Sequence, residues 1–337
     1  MNSDRIYKAA LIGLGNIAWK FDAVDRENDT DPLTHAGSYL SNPKTTLFGG
    51  YSPDPDRTDF EREYGVQTYM SVKDMLETLH PDIVSICSPT EHHFEHTATC
   101  IEAGVPMIWL EKPPTPNLAE LDRLIELKSV SKGKPKILIN YMRRYAKCYQ
   151  RLREIYLDRV LGEPISMEIV YSRGLILNGS HLLDMAFYLA GADGETLVDN
   201  VTTPLGLENP WFFFRLPSGL PVSVVGLPLS YHCADIVVTF EEGRASVIHC
   251  GMRTVWEKRI ENELFPGFYR LDMKTENPLG LGGMDGSMTG ALNDLIQAYE
   301  KDTDPVSNLV TARNAQELID RVFEKVNSDE MGCGSRR

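Results

Sequence analysis

Four groups of residues have the types and spacing to do chemistry. Glu111-Lys112-Pro113 follows the apolar run Val105–Leu110. A lysine just past a buried strand, at the carboxyl edge of a sheet, has no packing role. Its amine can hydrogen-bond a hydroxyl and stabilise an oxyanion developing there. Glu111 is placed to orient it and Pro113 to hold the turn; the plainer alternative is a surface lysine paired with Glu111. The second group, Gly13-Leu14-Gly15-Asn16-Ile17-Ala18, ends the apolar run Ala9–Ile12. This is a G-x-G-x-x-A turn: Gly13 for the tight bend, Gly15 for close backbone approach to a pyrophosphate, Ala18 for packing of the helix that follows. That helix start offers unpaired N–H groups to phosphate oxygens. A bare strand-to-helix turn would also use glycines, but further strand–helix units downstream favour a dinucleotide.

The third group is His181 and Asp184, three apart on a helix over Ser180–Ala190 that Ser180 can cap, so that they share a face. The fourth is Arg143-Arg144-Tyr145, just past the strand Lys136–Ile139, where substrate phosphate or hydroxyls can be held. A plain linker salt bridge is the alternative for one of these arginines. Tyr141 and Arg173 are weaker candidates. His92-His93 beside Glu91 invites a metal, but no second cluster at ligand spacing supports one.

The elements that must position these groups come in two grammars. Up to about Tyr145 strands and helices alternate. Strands are expected at Ala9–Ile12, Thr45–Tyr51, Asp82–Cys87, Val105–Leu110 and Lys136–Ile139, with helices between, the last capped by Asn117. This is a doubly wound parallel sheet with function at the carboxyl ends of its strands. Phe21–Thr34 is a polar, acidic insertion expected to loop over the cofactor mouth. Beyond about Tyr145 come a helix (Cys148–Asp158), a strand (Ile165–Tyr171) and the His181 helix. Six strand-like segments between Thr196 and Ile260 follow without intervening helices, which reads as a largely antiparallel sheet. Helices near Met288–Lys301 and Thr311–Val326 finish the chain. The expected domains are 1–145, 146–330 and a frayed tail, 331–337.

Composition bounds the function. The 337 residues carry a net charge of −14 with 42% apolar and 24% charged residues. That is an ordinary globular chain with no basic face for nucleic acid. No signal-peptide core and no run of 18 apolar residues occurs, so no membrane partner and a cytoplasmic location are the defaults. Six scattered cysteines read as reduced and structural, with Cys333 the one expected to be exposed. Apolar Val222, Val224, Ile236 and Val238 suggest a sheet face needing cover, hence a homodimer or homotetramer.

Together GLGNIA at Gly13, CSPTEHH at Cys87, EKPPT at Glu111, NYMRRY at Asn140 and GSHLLD at Gly179 resemble the family of glucose–fructose oxidoreductase and inositol dehydrogenase (Gfo/Idh/MocA). Beyond Gly191 the likeness is one of architecture alone. The resemblance implies an N-terminal Rossmann domain that binds NAD(P), and a C-terminal, mainly antiparallel α+β domain for substrate binding and oligomerisation. It implies oxidation of a secondary hydroxyl of a sugar or nucleotide sugar, such as the 3-OH of a UDP-N-acetylhexosamine. By the same resemblance His181 faces substrate as hydrogen-bond partner or base; a satisfied structural histidine is the alternative. Gly13, Gly15, Asn16, Ile17, Ser88, Pro89, Thr90, His93, Glu111 and Lys112 would contact cofactor. Lys112, Arg143, Tyr145, Asn178, His181 and Asp184 would contact substrate. A nicotinamide cation and desolvation would both move Lys112 towards acting as a base. One departure stands out: the family's aspartate four residues before the histidine is Leu177 here, and the adjacent Asn178 cannot accept a proton.

Where an acid should end the second strand and accept the ribose hydroxyls of NAD stands Ser52, with Arg57 five residues on. A hydroxyl and a cation suit a 2′-phosphate, which favours NADP; Asp54 restores NAD if the turn bends inward. Two other function classes remain open: a glycoside hydrolase that returns its NAD unchanged, and a non-catalytic NAD(P) sensor.

Overall fold

The computed structural model describes residues 5–23, 31–54, 57–191, 194, 196–272 and 284–333, without the side chains of 329–333. Residues 24–30 of the acidic insertion, 334–337 of the expected tail and the side chain of Cys333 lie outside what is described. The chain divides into two compact units, Met1–Met142 with Gly286–Arg313, and Arg143–Asp285 with Asn314–Arg337.

The first unit is built on β1 (Tyr7–Ile12), β2 (Thr45–Tyr51), β3 (Gln67–Tyr69), β4 (Ile83–Ile86), β5 (Met107–Leu110) and β6 (Lys136–Ile139), in the order β3-β2-β1-β4-β5-β6. All pairs are parallel. Such strands are covered on both faces by helices, which is why β4 (IVSI) and β5 (MIWL) are buried at every position. Covering them are α1 (His35–Ser41), α2 (Arg57–Tyr64), α3 (Val72–Leu79), α4 (His93–Glu102) and α5 (Leu118–Val130). α1, α3 and α5 start from side-chain caps: Thr34 Oγ1 accepts from Gly37 N and Asn117 Oδ1 from Glu120 N, each at 3.0 Å, and Ser71 Oγ accepts from Asp74 N. Asp22 closes the base of the insertion by accepting from Leu33 N, Thr34 N and Thr34 Oγ1.

Register decides where function can sit. Ile12 is level with Tyr51 on one side and Ile86 on the other, and Ile86 with Leu110. The loops beginning at Gly13, Ser52, Cys87 and Glu111 therefore leave the same sheet edge. Strand order reverses between β1 and β4, the crevice where doubly wound sheets bind ligands.

The second unit has α6 (Lys147–Leu157) and α7 (Ser180–Ala190) on an eight-stranded sheet: β7 (Pro164–Ser172), β8 (Leu197–Thr202), β9 (Trp211–Arg215), β10 (Pro221–Leu227), β11 (Ala234–Phe240), β12 (Gly243–Ile248), β13 (Arg253–Glu261) and β14 (Tyr269–Leu271). The order is β14-β13-β12-β11-β7-β10-β9-β8, antiparallel except for β7 with β10. One expectation is corrected here. Val222, Val224, Ile236 and Val238 are 0–1% exposed, inside the unit's own core. Alternation turns them to the face that α7 and α6 cover; the other face carries Trp211, Phe213 and Leu197, the last 68% exposed.

α8 (Ser287–Lys301) belongs to the first unit, not to the 146–330 range expected for the second domain; its Leu292 and Leu295 are buried and it packs on β5, β6 and α1. α9 (Leu309–Cys333) runs through 331–333, where a frayed tail was expected. Its Arg313 pairs with Asp122 at 2.7 Å within the first unit, and its Arg321 donates to Thr196 O at 2.8 Å within the second.

Candidate active site

At the carboxyl edge of the first unit's sheet lies a cleft of about 690 Å³, lined by the glycine turn, by Tyr51–Asp54, by Cys87–Pro89 and by His92, Glu95 and His96. The two glycines differ in what holds them. Gly13 has φ +87°, and a Cβ there would lie 2.6 Å from Ser88 N and 2.8 Å from the Cys87 carbonyl, so the fold itself demands glycine. Gly15 has an ordinary φ of −84°, and a Cβ would meet nothing within 4 Å. Its missing side chain leaves room in the cleft rather than in the protein. This is what a dinucleotide pyrophosphate needs, and on this observation the residues present fit the cofactor. After Gly15 the backbone makes one π-helical turn, Asn16–Lys20, and α1 begins at His35 beyond the insertion. Trp19 N donates back to Gly15 O at 3.3 Å, so that only the first amides of the turn are offered to a ligand.

Of the residues expected to touch cofactor, Gly13, Gly15, Ser52, Ser88 and Pro89 line the cleft; Asn16, Ile17, Arg57, Thr90, His93, Glu111 and Lys112 are not among its lining. His93 is 1% exposed, its ring nitrogens each 2.8 Å from a carbonyl oxygen, those of Pro113 and Ser88. Burial outweighs these contacts and pulls its pKa down. It ties the loop after β4 to the loop after β5, which is a positioning role. His96 was missed by the sequence reading. It sits one turn beyond His92 on α4, holds Ser88 Oγ through Nδ1 at 2.9 Å and packs edge-on against Tyr51. An i, i+4 pair on a helix leaving a sheet edge was the available signal.

Lys112 follows β5 as expected and is half-buried. Glu111, 9% exposed, is gripped from behind. Its Oε1 lies 3.0 Å from His35 Nε2 and accepts from the Asn140 amide, while Oε2 accepts from Lys112 N at 3.2 Å. His35 is held by Ser85 Oγ at 2.8 Å, and Trp109 Nε1 donates to Asn140 Oδ1 at 3.1 Å. Glu111 thus orients Lys112 through its backbone. Burial pushes the Glu111 carboxyl up, but His35's hydrogen bond and charge, Lys112 and Asn140 together hold it below its ordinary 4.5. A carboxyl depressed in the fold contributes stability that is present above the unfolded value and lost as pH falls through the folded one. Glu111→Gln is therefore expected to cost about 1–3 kcal/mol at neutral pH and to make stability fall less steeply below about pH 4.5. Denaturant midpoints of both proteins across that range check this.

In the second unit β7 passes through Arg173 into a π-helical turn, Leu175–Gly179, which runs directly into α7. Ser180 consequently does not cap. It is already inside the helical run and donates to Ile176 O at 2.7 Å. Asn178 and His181 are 8% and 7% exposed, and Leu177, where the family's aspartate stands, is 51% exposed. Asp184 is committed elsewhere: Arg144 grips both its oxygens, at 2.6 and 2.8 Å, with both side chains buried. Burial pushes the Asp184 carboxyl up, with the guanidinium opposing. The salt bridge expected for one of the two arginines is thus that of Arg144, and it uses the carboxylate assigned to substrate. Tyr145 and Arg143 are buried, at 8% and 9% exposed. Among the described residues no group of three His, Cys, Asp or Glu is placed to hold a metal, and no helix is long and apolar enough to cross a membrane.

Residues 7–135 match the oxidoreductase family with an NAD-binding Rossmann fold (Gfo/Idh/MocA). These residues, which carry β1 to β5 of the first unit's sheet, belong to this family. It is 29% identical over 208 residues to D-glucoside 3-dehydrogenase of Escherichia coli (strain K12), covering 55% of this chain and 54% of that protein. Myo-inositol 2-dehydrogenase of Thermotoga maritima is 28% identical over 227 residues, 60% of each chain. The matches thus span little more than half of these two relatives. Among solved structures, UDP-N-acetylglucosamine 3-dehydrogenase from Acidithiobacillus ferrooxidans shares the fold, with a TM-score of 0.72 at 19% identity over 93% of this chain and 95% of that one.

Proposed function

We propose that the protein is a nicotinamide-dependent dehydrogenase that oxidises a secondary hydroxyl of a sugar, cyclitol or nucleotide sugar. The observation that carries this is Gly15, a glycine the fold does not require, open to a cleft at the sheet's switch point. Its relatives' names supply the substrate class. The bound nicotinamide would supply a hydride acceptor. The chain's own part is proton handling and orientation. Lys112 takes the hydroxyl proton, its backbone held by Glu111, His35 and Asn140. His181 is the second residue acting on the hydroxyl, and Asn178 orients substrate. A screen of nicotinamide absorbance across free and nucleotide-linked sugars and inositols tests this; bound cofactor with no turnover of any of them would favour the sensor class.

For the cofactor, NAD is proposed in place of the NADP expected from Ser52 and Arg57. Ser52 Oγ accepts from Asp54 N at 3.1 Å, and Asp54 lines the cleft where Arg57 does not. A carboxylate there can accept the ribose hydroxyls and repels a 2′-phosphate. Asp54→Ala is expected to weaken NADH binding roughly tenfold or more, the size of a lost charged hydrogen bond, and Arg57→Ala to change it little. Tighter binding of NADPH than NADH by the unaltered protein would reverse the assignment.

For assembly, the exposed face with Trp211, Phe213 and Leu197 is the surface proposed to pair in a homodimer or homotetramer. Phe213→Asp should give a monomer by light scattering at micromolar concentration; an unaltered protein that is already monomeric contradicts this. A cytoplasmic location is proposed with it.

A further inference from the structure

The second unit holds two guanidinium groups that no carboxylate pairs with among the described residues. Arg143 and Arg144 are adjacent and both buried, yet they are treated differently. Arg144 is neutralised bidentately by Asp184, whereas Arg143 makes no ion pair among the described residues and its Nε is buried without a hydrogen-bond partner. Burying a cation without a counter-charge is costly unless something else supplies that charge. In a chain with 48 acidic residues the lack is local, not compositional.

The second is Arg173, at the end of β7. Its φ of +65° places it in the left-handed region, unfavourable for a side chain of this size. It too lacks an ion pair among the described residues, and its guanidinium donates to His232 Nε2. A guanidinium has only donors, so that imidazole nitrogen must accept and His232 is held neutral. Partial burial, then Arg173 and Arg143, pull the His232 pKa down, and no carboxylate opposes them. His232 Nδ1 lies 3.5 Å from the Asn178 amide, one helical turn before His181. A strained arginine and a buried arginine thus both act on His232, a histidine kept uncharged beside Asn178, and neither arginine has an ion pair among the described residues.

We propose that Arg143, Arg173 and His232 form an anion-recognition side of the substrate site at Asn178 and His181, so that the substrate is a sugar derivative bearing a carboxylate or phosphate and not a neutral cyclitol. This rests on the dehydrogenase reading above. Uronates, sugar phosphates and nucleotide diphosphate sugars share the anionic oxygens that guanidinium groups bind in bidentate fashion.

The test compares kcat/KM at constant ionic strength for myo-inositol, glucose, glucuronate, glucose 6-phosphate and UDP-N-acetylglucosamine. The best charged substrate is expected to exceed the best neutral one at least a hundredfold, and which charged member leads identifies the source of the anion. Arg173 is exposed, so Arg173→Met should fold. It should lower kcat/KM at least tenfold more for the charged substrate than for a neutral one, chiefly through KM, with Arg173→Lys recovering part. A neutral substrate turned over best, or equal losses for all, overturns the proposal. If nothing is turned over, the dehydrogenase reading fails separately, and calorimetry with glucuronate and inorganic phosphate on NADH-loaded protein decides. Binding weakened at least tenfold by Arg173→Met supports the anion site; no binding, or binding equal in both proteins, overturns it.

Discussion

Lys112→Met is expected to bind cofactor almost as well as the unaltered protein and to turn substrate over at least roughly a hundredfold more slowly, the usual cost of a lost acid–base group. Methionine keeps the aliphatic stem and removes the only part of the side chain that can move a proton. The fold should tolerate the change, because the hydrogen bonds that hold the end of β5 are made by the Glu111 carboxylate and the Lys112 backbone N–H. His181→Ala should also lower turnover, but less if water can replace the imidazole. The double variant should fall short of the product of the two effects, since groups acting on one proton are not additive. Full activity in Lys112→Met would place the proton elsewhere. Multiplying effects would mean that the two residues act on different steps.

The paired glycine variants carry the other large effect, and they separate fold from function. Gly13→Ala puts a Cβ within 2.8 Å of the backbone at Cys87 and Ser88, at a φ of +87°. The main chain has no rotamer with which to yield, so the variant is expected to lose several kcal/mol of stability, in the range of strained and overpacked sites. At Gly15→Val the new Cβ has nothing within 4 Å and the residue keeps an allowed φ. It should unfold at nearly the unaltered midpoint, while cofactor affinity drops by about a hundredfold or more, roughly 2.7 kcal/mol, because the branched side chain occupies the pyrophosphate's place. Thermal melts and cofactor titrations on both variants give the comparison. Gly15→Val that binds cofactor normally would remove the basis for the dinucleotide site.

These expectations rest on features legible in the sequence to different depths. β2 and β6 are found at their expected limits because turn residues close them, Ser52-Pro53 after the first and Gly133-Lys134-Pro135 before the second. α7 begins at Ser180 as expected, yet for a different reason: the π-helical turn before it supplies its first backbone partners, and no local propensity announces such a turn. β3 and β14, three residues each, carry too little pattern to be read. The sheet face of the second unit was read inside out at Val222 and Ile236. Alternation shows which residues share a face, but not which face receives helices from elsewhere in the chain. The grip on Glu111 was invisible because His35 lies 76 residues away in sequence. A histidine opening a helix looks like any other until register brings it behind the strand that ends at Leu110. The fate of Asp184 shows the same limit: i, i+3 spacing put it beside His181, but only the fold shows that Arg144 takes it.

The central claim is that substrate oxidation consumes free cofactor, and the stoichiometry of that consumption tests it most directly. With the best substrate of the sugar screen and excess oxidised cofactor, the account predicts one nicotinamide reduced for each ketone formed. Both should fall together in Lys112→Met. Substrate conversion with no net nicotinamide reduction would contradict the account and assign the chain to the class that returns its cofactor unchanged.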